Sequence, residues 1–373
     1  MDALMLPLNW QRVRLGDIGK PCMCKRVMKH QTTRYGEIPF YKIGTFGNTA
    51  DAFISKKLFL EYKTKYSFPK KGDILISASG TIGRAVIYDG KPAYFQDSNI
   101  VWIDNDETLV KNDFLFYAYS NVKWNTEHTT ILRLYNDNFR NTLIPLPPLN
   151  EQSTIANILS GLNRYLCALR ALILKKEGVK KALSFELLSQ RKRLKGFNQA
   201  WQKVRLGDIA NYLTSNLSAE QITQQGKIKV YDVNNFIGYT DTTFISDKPY
   251  ISIVKDGSVG RVRILPPKTN ILSTMGALIA NHRTTTEFLF YLLSNFDFKN
   301  FISGSIIPHI YFKDYKEKTI FLPPLNEQSA IANILSALDN EIASLKNKKR
   351  QFENIKKALN HDLMSAKIRV LKK

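Results

Sequence analysis

A chain of 373 residues can bury more than one core, and its 44% hydrophobic and 23% charged content is that of folded protein, which excludes long disorder. Its three cysteines, Cys22, Cys24 and Cys167, exclude a disulfide framework and an all-cysteine zinc site. With 54 Lys and Arg against 32 Asp and Glu the net charge is +22, a surplus that phosphate backbones reward through counterion release and that points to a polyanionic partner.

The opening MDALMLPLNW has no charged segment followed by a long apolar one, and no run reaches the ~18 apolar residues of a membrane span, so a cytoplasmic protein is expected. WQRVRLGDI follows at residues 10–18. Cys22 and Cys24 form a CxC with His30 nearby, but no fourth metal ligand stands at a suitable spacing. Glu61, Tyr62 and Lys63 make an ExK without the acidic partner that a nuclease needs. Residues 73–77 and 85–88, apolar and bounded by Gly and Pro, predict strands. Between them lies SGTIGR: Ser79, Gly80, Thr81, Ile82, Gly83 and Arg84. Its glycines permit close backbone approach and its arginine suits phosphate or guanine, although a plain hairpin would look the same. FLFYAYSN, residues 114–121, predicts a short helix packed through its aromatic face.

In LPPLNEQSTIANILSGL, Asn150 is expected to be the N-cap of a helix with Glu151 in its first turn, where it complements the dipole. Ile155, Leu159, Leu162, Leu166, Leu169, Ile173, Leu183 and Leu187 then follow a 4-3-4-3 rhythm, with Lys176 and Lys180 in the exceptional slots. This heptad pattern predicts a coiled-coil helix over 150–195, on the order of 65 Å long. Gly178 within it costs about 1 kcal/mol relative to Ala.

The second half repeats the first. WQKVRLGDI returns at 201–209, 191 residues after its copy at 10–18, and LPPLNEQSAIANILSAL returns at Leu322, 176 residues after Leu146. Weaker echoes keep the order: DGSVGR, with Gly257, Ser258, Gly260 and Arg261, and FLFYLLSN from Phe288. About 15 residues are therefore missing from the second copy, before Asp256. Asn326 and Glu327 open a second heptad helix, with Ile331, Leu335, Leu338, Ile342, Leu345, Phe352, Leu359 and Leu363 in the seam and Lys349 and Lys356 in the exceptional slots. The expected domains are 1–149 and 196–325, each an α+β module, followed by helices at 150–195 and 326–373. The second module starts where the first helix ends and finishes where the second begins. Because a module of this size has a radius of gyration of only roughly 14 Å, it cannot bridge a parallel pair, so the helices are expected to run antiparallel about a pseudo-two-fold axis.

No phosphate loop, dinucleotide fingerprint, HExxH, GxSxG or adenine-methyltransferase NPP[FYW] motif occurs, and His128, His282, His309 and His361 are scattered. The residues read as non-catalytic.

Two variable modules opened by WxxVRLGDI and closed by LPPLNEQxxIANIL, each followed by a heptad helix, resemble the specificity subunit of Type I restriction-modification systems over essentially the whole chain. The resemblance implies that each module is a target recognition domain reading one half of a bipartite, asymmetric DNA site, with the helices setting the gap. It implies two modification (methyltransferase) subunits as partners, which carry S-adenosylmethionine, and two restriction subunits that can join them to give an endonuclease using ATP and Mg. Residues where the copies differ are expected to read bases: Arg34 and Tyr35 within 29–35, Lys42, Thr45 and Asn48 within 42–48, and Asn234 and Asn235 within 232–235. Ser79, Gly80, Thr81, Gly83, Arg84, Gly257, Ser258, Gly260 and Arg261 are expected at the DNA backbone. Asn150, Glu151, Gln152, Asn326, Glu327 and Gln328 are expected to dock the partner. A scaffold joining proteins through its helices, or a single-chain restriction enzyme with an unrecognised catalytic part, remain the alternatives.

Overall fold

The computed structural model describes residues 7–128 and 132–370. The chain divides into two compact units, Met1–Leu169 with Lys348–Lys373, and Arg170–Asn347. One plan builds both. The opening and closing anchors pair as antiparallel strands, Gln11–Arg14 with Leu143–Leu146 and Gln202–Arg205 with Thr319–Leu322. A four-stranded sheet follows, in the order Gly19–Met23, Ile100–Asn105, Ile74–Ser77, Ala85–Ile87 in the first unit. In the second the order is Ala210–Thr214, Met275–Ala280, Tyr250–Val254, Val262–Leu265. Each unit adds a three-stranded sheet whose central strand, Ile38–Tyr41 or Ile228–Tyr231, takes one antiparallel and one parallel neighbour.

Side chains alternate across a strand, so a strand between two cores must be apolar throughout. Ile74 and Ile76 face the core formed with Phe114 and Leu115 of the helix Asn112–Ala118, while Leu75 joins Phe40 and Tyr94 on the other side. In the second unit Ile251 and Ile253 face Phe288 and Leu289 of the helix Thr286–Ser294, and Tyr250 and Val254 face the smaller core. Most of the shortfall in the second copy is the helix Lys56–Lys65, which lies between Phe53–Ile54 and Ile74–Ser77, and the rest is largely the loop after the central strand; the second unit links Phe236–Thr240 to Tyr250–Val254 without a helix. Glu61 of that helix is paired with Lys65 at 3.2 Å, and Lys63 lies over the Phe59 and Phe68 rings.

The long helices are Leu149–Leu188 and Leu325–Met364, 40 residues each. The first continues through Gly178 and stops at Leu188, seven residues short of Lys195. Gln190 (φ 61°) and Ala366 (φ 57°) take the left-handed conformation just beyond the two helix ends, a common way for a helix to terminate. Antiparallel pairing is visible inside each unit. In the first, Leu363 and Met364 pack in the core that holds Ile155 and Leu159; in the second, Leu187 packs in the core that holds Ile331 and Leu335. Two of the lysines in seam slots meet acids of the facing helix, Lys176 with Glu341 at 2.8 Å and Lys180 with Asp339. Among the described residues no helix is long and apolar enough to cross a membrane.

Asn150 and Asn326 are not N-caps, because the helices start at Leu149 and Leu325 and each Asn is already the second residue inside. The carbonyl of Pro148 accepts from Gln152 N and that of Pro324 from Gln328 N, both at 2.9 Å, while each Asn side chain accepts from the next backbone N–H. Glu151, Gln152, Glu327 and Gln328, expected to dock a partner, are at most 2% exposed and bonded inside their own unit, so their side chains offer nothing to another protein. Only Asn150 and Asn326 stay exposed. Glu151 accepts from Trp10 Nε1 at 3.1 Å and is gripped by Arg369 through Nε at 2.8 Å and Nη2 at 3.0 Å. Glu327 accepts from Trp201 Nε1 at 2.9 Å and from Arg193 through Nη2 at 2.6 Å and Nε at 3.2 Å. Gln152 bonds the carbonyls of Leu109 and Pro147, and Gln328 those of Arg283 and Pro323.

Breaking one side of such a buried pair strands a charge. Arg193→Ala is expected to lower the unfolding free energy by on the order of 3 kcal/mol in urea denaturation, and Arg193→Met with Glu327→Gln by much less, since the charge is then gone.

Candidate nucleic-acid interface

In each unit the centre of the site is the hairpin turn that carries the matched glycines. Strands Ile74–Ser77 and Ala85–Ile87 flank the first, and Tyr250–Val254 and Val262–Leu265 the second. The second glycine N–H closes each turn at 2.9 Å, Gly83 N to the Ser77 carbonyl and Gly260 N to the Val254 carbonyl. The two glycines of a turn do different work. Gly80 and Gly257 are exposed with open space beside them, whereas a Cβ on Gly83 would stand 2.1 Å from Trp124 Nε1 and one on Gly260 2.7 Å from Phe298 Cδ2. Both of these positions have positive φ, 83° and 81°. Trp124 and Phe298 occupy equivalent places after the two short helices.

Part of the expected backbone-contacting set therefore faces inward. Ser79 is buried, its Oγ bonded to Asn99 at 2.8 Å, and Gly83 and Gly260 are packed under aromatic rings, because the turn folds onto the loop behind it. Gly80, Thr81, Gly257 and Ser258 remain exposed at the tips. That supporting loop is tied by matching bonds, Leu134 N to the Ala78 carbonyl and Ile310 N to the Lys255 carbonyl, both at 2.9 Å. In the second unit Asp256 also bonds His309 Nδ1 at 2.7 Å and Lys255 Nζ at 3.1 Å. Burial works against the Asp256 charge, but these two partners outweigh it and hold its carboxyl below the ordinary value. A lowered carboxyl stabilises above its unfolded value of about 3.9, so this tie holds at neutral pH and is lost only as acid takes the pH down through the lowered value.

The turns meet the loops where the copies differ. Arg84 Nη1 donates to the Phe46 carbonyl at 3.0 Å, inside 42–48, and Arg261 Nη2 donates to Asn234 Oδ1 at 2.9 Å, inside 232–235. Of the other expected base readers, Asn48, Asn234 and Asn235 are exposed, Lys42 is paired with Asp51 at 2.8 Å, and Thr45 hydrogen-bonds Lys42. Arg34 is exposed and Tyr35 is 87% exposed on a separate loop.

Cys24 is buried, which pushes its thiol up to about 12 and disfavours the thiolate that a metal needs. Among the described residues no group of three His, Cys, Asp or Glu stands where a metal ion would be held.

The sequence profile of the Type I restriction modification DNA specificity domain matches residues 7–176 and again residues 198–354. The chain belongs to this family. Its similarity to a putative type I restriction enzyme specificity subunit of Haemophilus influenzae is 64% identity over 148 residues, 39% of this chain and 38% of that one. The type I restriction enzyme MjaVIII specificity subunit of Methanocaldococcus jannaschii is 25% identical over 99% of this chain and 95% of its own. The solved S subunit of the type I system from M. genitalium shares the fold, with a TM-score of 0.64 and 20% identity over 96% of this chain and 98% of that one. Each unit is thus built around one specificity domain, and the recognition, the two tandem α+β modules and the non-catalytic character expected from sequence agree with these findings.

Residues not singled out from the sequence hold the turns, namely Trp124 and Phe298, the Asp256–His309 pair and Phe46, while the frame is held by the arginines Arg193 and Arg369. The last had a signal. Residues 188–194 and 364–370 form another repeat at the 176-residue offset, placing Arg193 on Arg369.

A methyl group on either packed glycine forces the supporting ring away from the turn. Gly83→Ala and Gly260→Ala are each expected to destabilise their own specificity domain by about 1–3 kcal/mol in thermal denaturation, and Gly80→Ala by only the positive-φ cost of about 1 kcal/mol.

Proposed function

We propose that this chain is the DNA-reading subunit of a Type I restriction-modification complex, in which each specificity domain reads one half of a bipartite, asymmetric site and the long helices set the gap. The observation that carries this reading is the double family match falling on two units of one plan, whose frames coincide while the loops beside each turn differ. The net charge of +22 supplies the sequence-independent part of duplex binding. The chain does no chemistry itself. Two modification subunits contribute S-adenosylmethionine and transfer its methyl group to adenine in each half-site, and where two restriction subunits join them, ATP and Mg serve cleavage. It works in the cytoplasm, with the DNA.

The test is to co-express the chain with the methyltransferase subunit of its own system and map modified adenines across a genome by single-molecule sequencing. One split motif with a fixed unspecific gap, of which exactly one half changes when one domain is exchanged, is expected. Methylation at one continuous site, or none, would contradict the reading.

A further inference from the structure

Arginine beside a glycine turn in a basic protein invites assignment as a phosphate or guanine contact, yet both arginines here spend a donor on their own chain. The first is fixed at each end. Its backbone sits in the hairpin, with Ser77 N bonded to the Arg84 carbonyl at 3.0 Å and Arg84 N to Ser77 Oγ at 2.9 Å. Its Nη1 reaches the Phe46 carbonyl at 3.0 Å, and the Phe46 ring, 1% exposed, is seated in the core below. Around Phe46 the loop is closed by Asn48 N to the Thr45 carbonyl at 2.9 Å and by Ile43 N to Gln96 Oε1 at 2.9 Å.

The second module reaches the same arrangement with different atoms. Val254 N bonds the Arg261 carbonyl at 2.9 Å, and Arg261 Nη2 bonds Asn234 Oδ1 at 2.9 Å. Arg263 adds a bond from Nη1 to the Asn234 carbonyl at 3.0 Å, while Asp232 Oδ1 accepts from Asn234 N at 2.8 Å and Asn235 N at 2.6 Å. Two copies that have diverged in loop length and sequence have kept the guanidinium of the turn on the diverged loop.

We propose that Arg84 and Arg261 are positioning residues for specificity: each braces the diverged loop of its module against the matched turn and so sets where that loop presents its side chains to base edges. This inference rests on the DNA-reading function proposed above. A brace of this kind orders the loop before DNA arrives, which lowers the cost of ordering it on binding. It also explains how reading can change while the frame persists. In the first module the acceptor is a backbone carbonyl, which every residue supplies, so the exposed side chains of 42–48 are free to vary without losing the anchor while Phe46 keeps the loop seated. In the second the acceptor is a side chain, and Asn234 is consequently a residue that exchange of the loop cannot discard.

The test uses the full chain in complex with its methyltransferase partner, carrying Arg84→Met, which keeps the aliphatic stem and removes the donors. Two quantities are read: base preference at both half-sites from a randomised duplex pool, and the slope of log affinity against log salt. A brace relaxes discrimination about tenfold across the first half-site, leaves the second half-site as in the wild type, and leaves the salt slope unchanged. Arg261→Met mirrors this at the second half-site. A slope reduced by about one unit with base preferences intact would make the arginine a phosphate contact and overturn the brace, as would loss of preference at a single G·C pair with every other position retained. Reading of the unaltered half-site by the same molecule controls for folding.

Asn234→Ala removes the acceptor from the loop side. With a brace, Arg261→Met and Asn234→Ala have similar effects and the double variant is no worse than either; fully additive effects would overturn it. A wild-type complex with no split-site preference would overturn both this inference and the function on which it rests, whereas a wild-type split preference that Arg84→Met and Arg261→Met leave untouched overturns the brace alone.

Discussion

Two buried carboxylates hold the frame. Glu151 and Glu327 each take an indole N–H from the tryptophan that opens the module and a two-pronged grip from an arginine that lies just past the end of the opposite long helix. Three segments far apart in sequence thereby meet at one oxygen pair: the first strand, the start of the module's own helix, and the segment following the other helix. An unpaired charge at that depth would be costly, so the joint forms only when all three are in place. The Trp of WQxVRLGDI and the Glu of LPPLNEQ are shared between the copies in keeping with this, since each supplies atoms to one buried site.

The neighbouring glutamine extends the same logic. Gln152 and Gln328 spend both ends of their amides on backbone groups, tying the helix start to the loop ahead of the aromatic helix. The helix position relative to the sheet is therefore set by hydrogen bonds with little room for slippage, and the apolar seam residues add the area. What the frame leaves free is at the far side of the four-stranded sheet, where the hairpin turn, its supporting loop and the diverged loop come together. Rigid elements carrying variable loops is the usual arrangement for a binding surface.

Much of this was legible in the sequence, and the remainder fails for identifiable reasons. Repeated blocks in fixed order revealed the two modules, a 4-3-4-3 apolar rhythm revealed the helices, and connectivity implied their antiparallel sense, because these signals depend on spacing alone. The direction in which a matched polar residue points does not. Glu151 in a first helical turn looks like a surface charge until Trp10 and Arg369, distant along the chain, arrive beside it. Ser79 and Gly83 look like ligand-facing turn residues until Asn99 and Trp124 fill the space behind them. The N-cap assignment failed for a local reason: after two prolines the carbonyl of Pro148 starts the helix, and the side chain of Asn150 serves the next amide instead.

A shared frame presents different loops to DNA, and the matched motifs are committed to holding that frame. A structure of the chain with its methyltransferase partner on a cognate duplex tests it most directly. Side chains from 42–48 and 232–235 are expected at base edges, the exposed turn tips at Gly80 and Gly257 near phosphates, and Glu151 and Glu327 still closed on Trp10 and Trp201. Base contacts made by the matched anchors, or a duplex lying away from both turns, would contradict it.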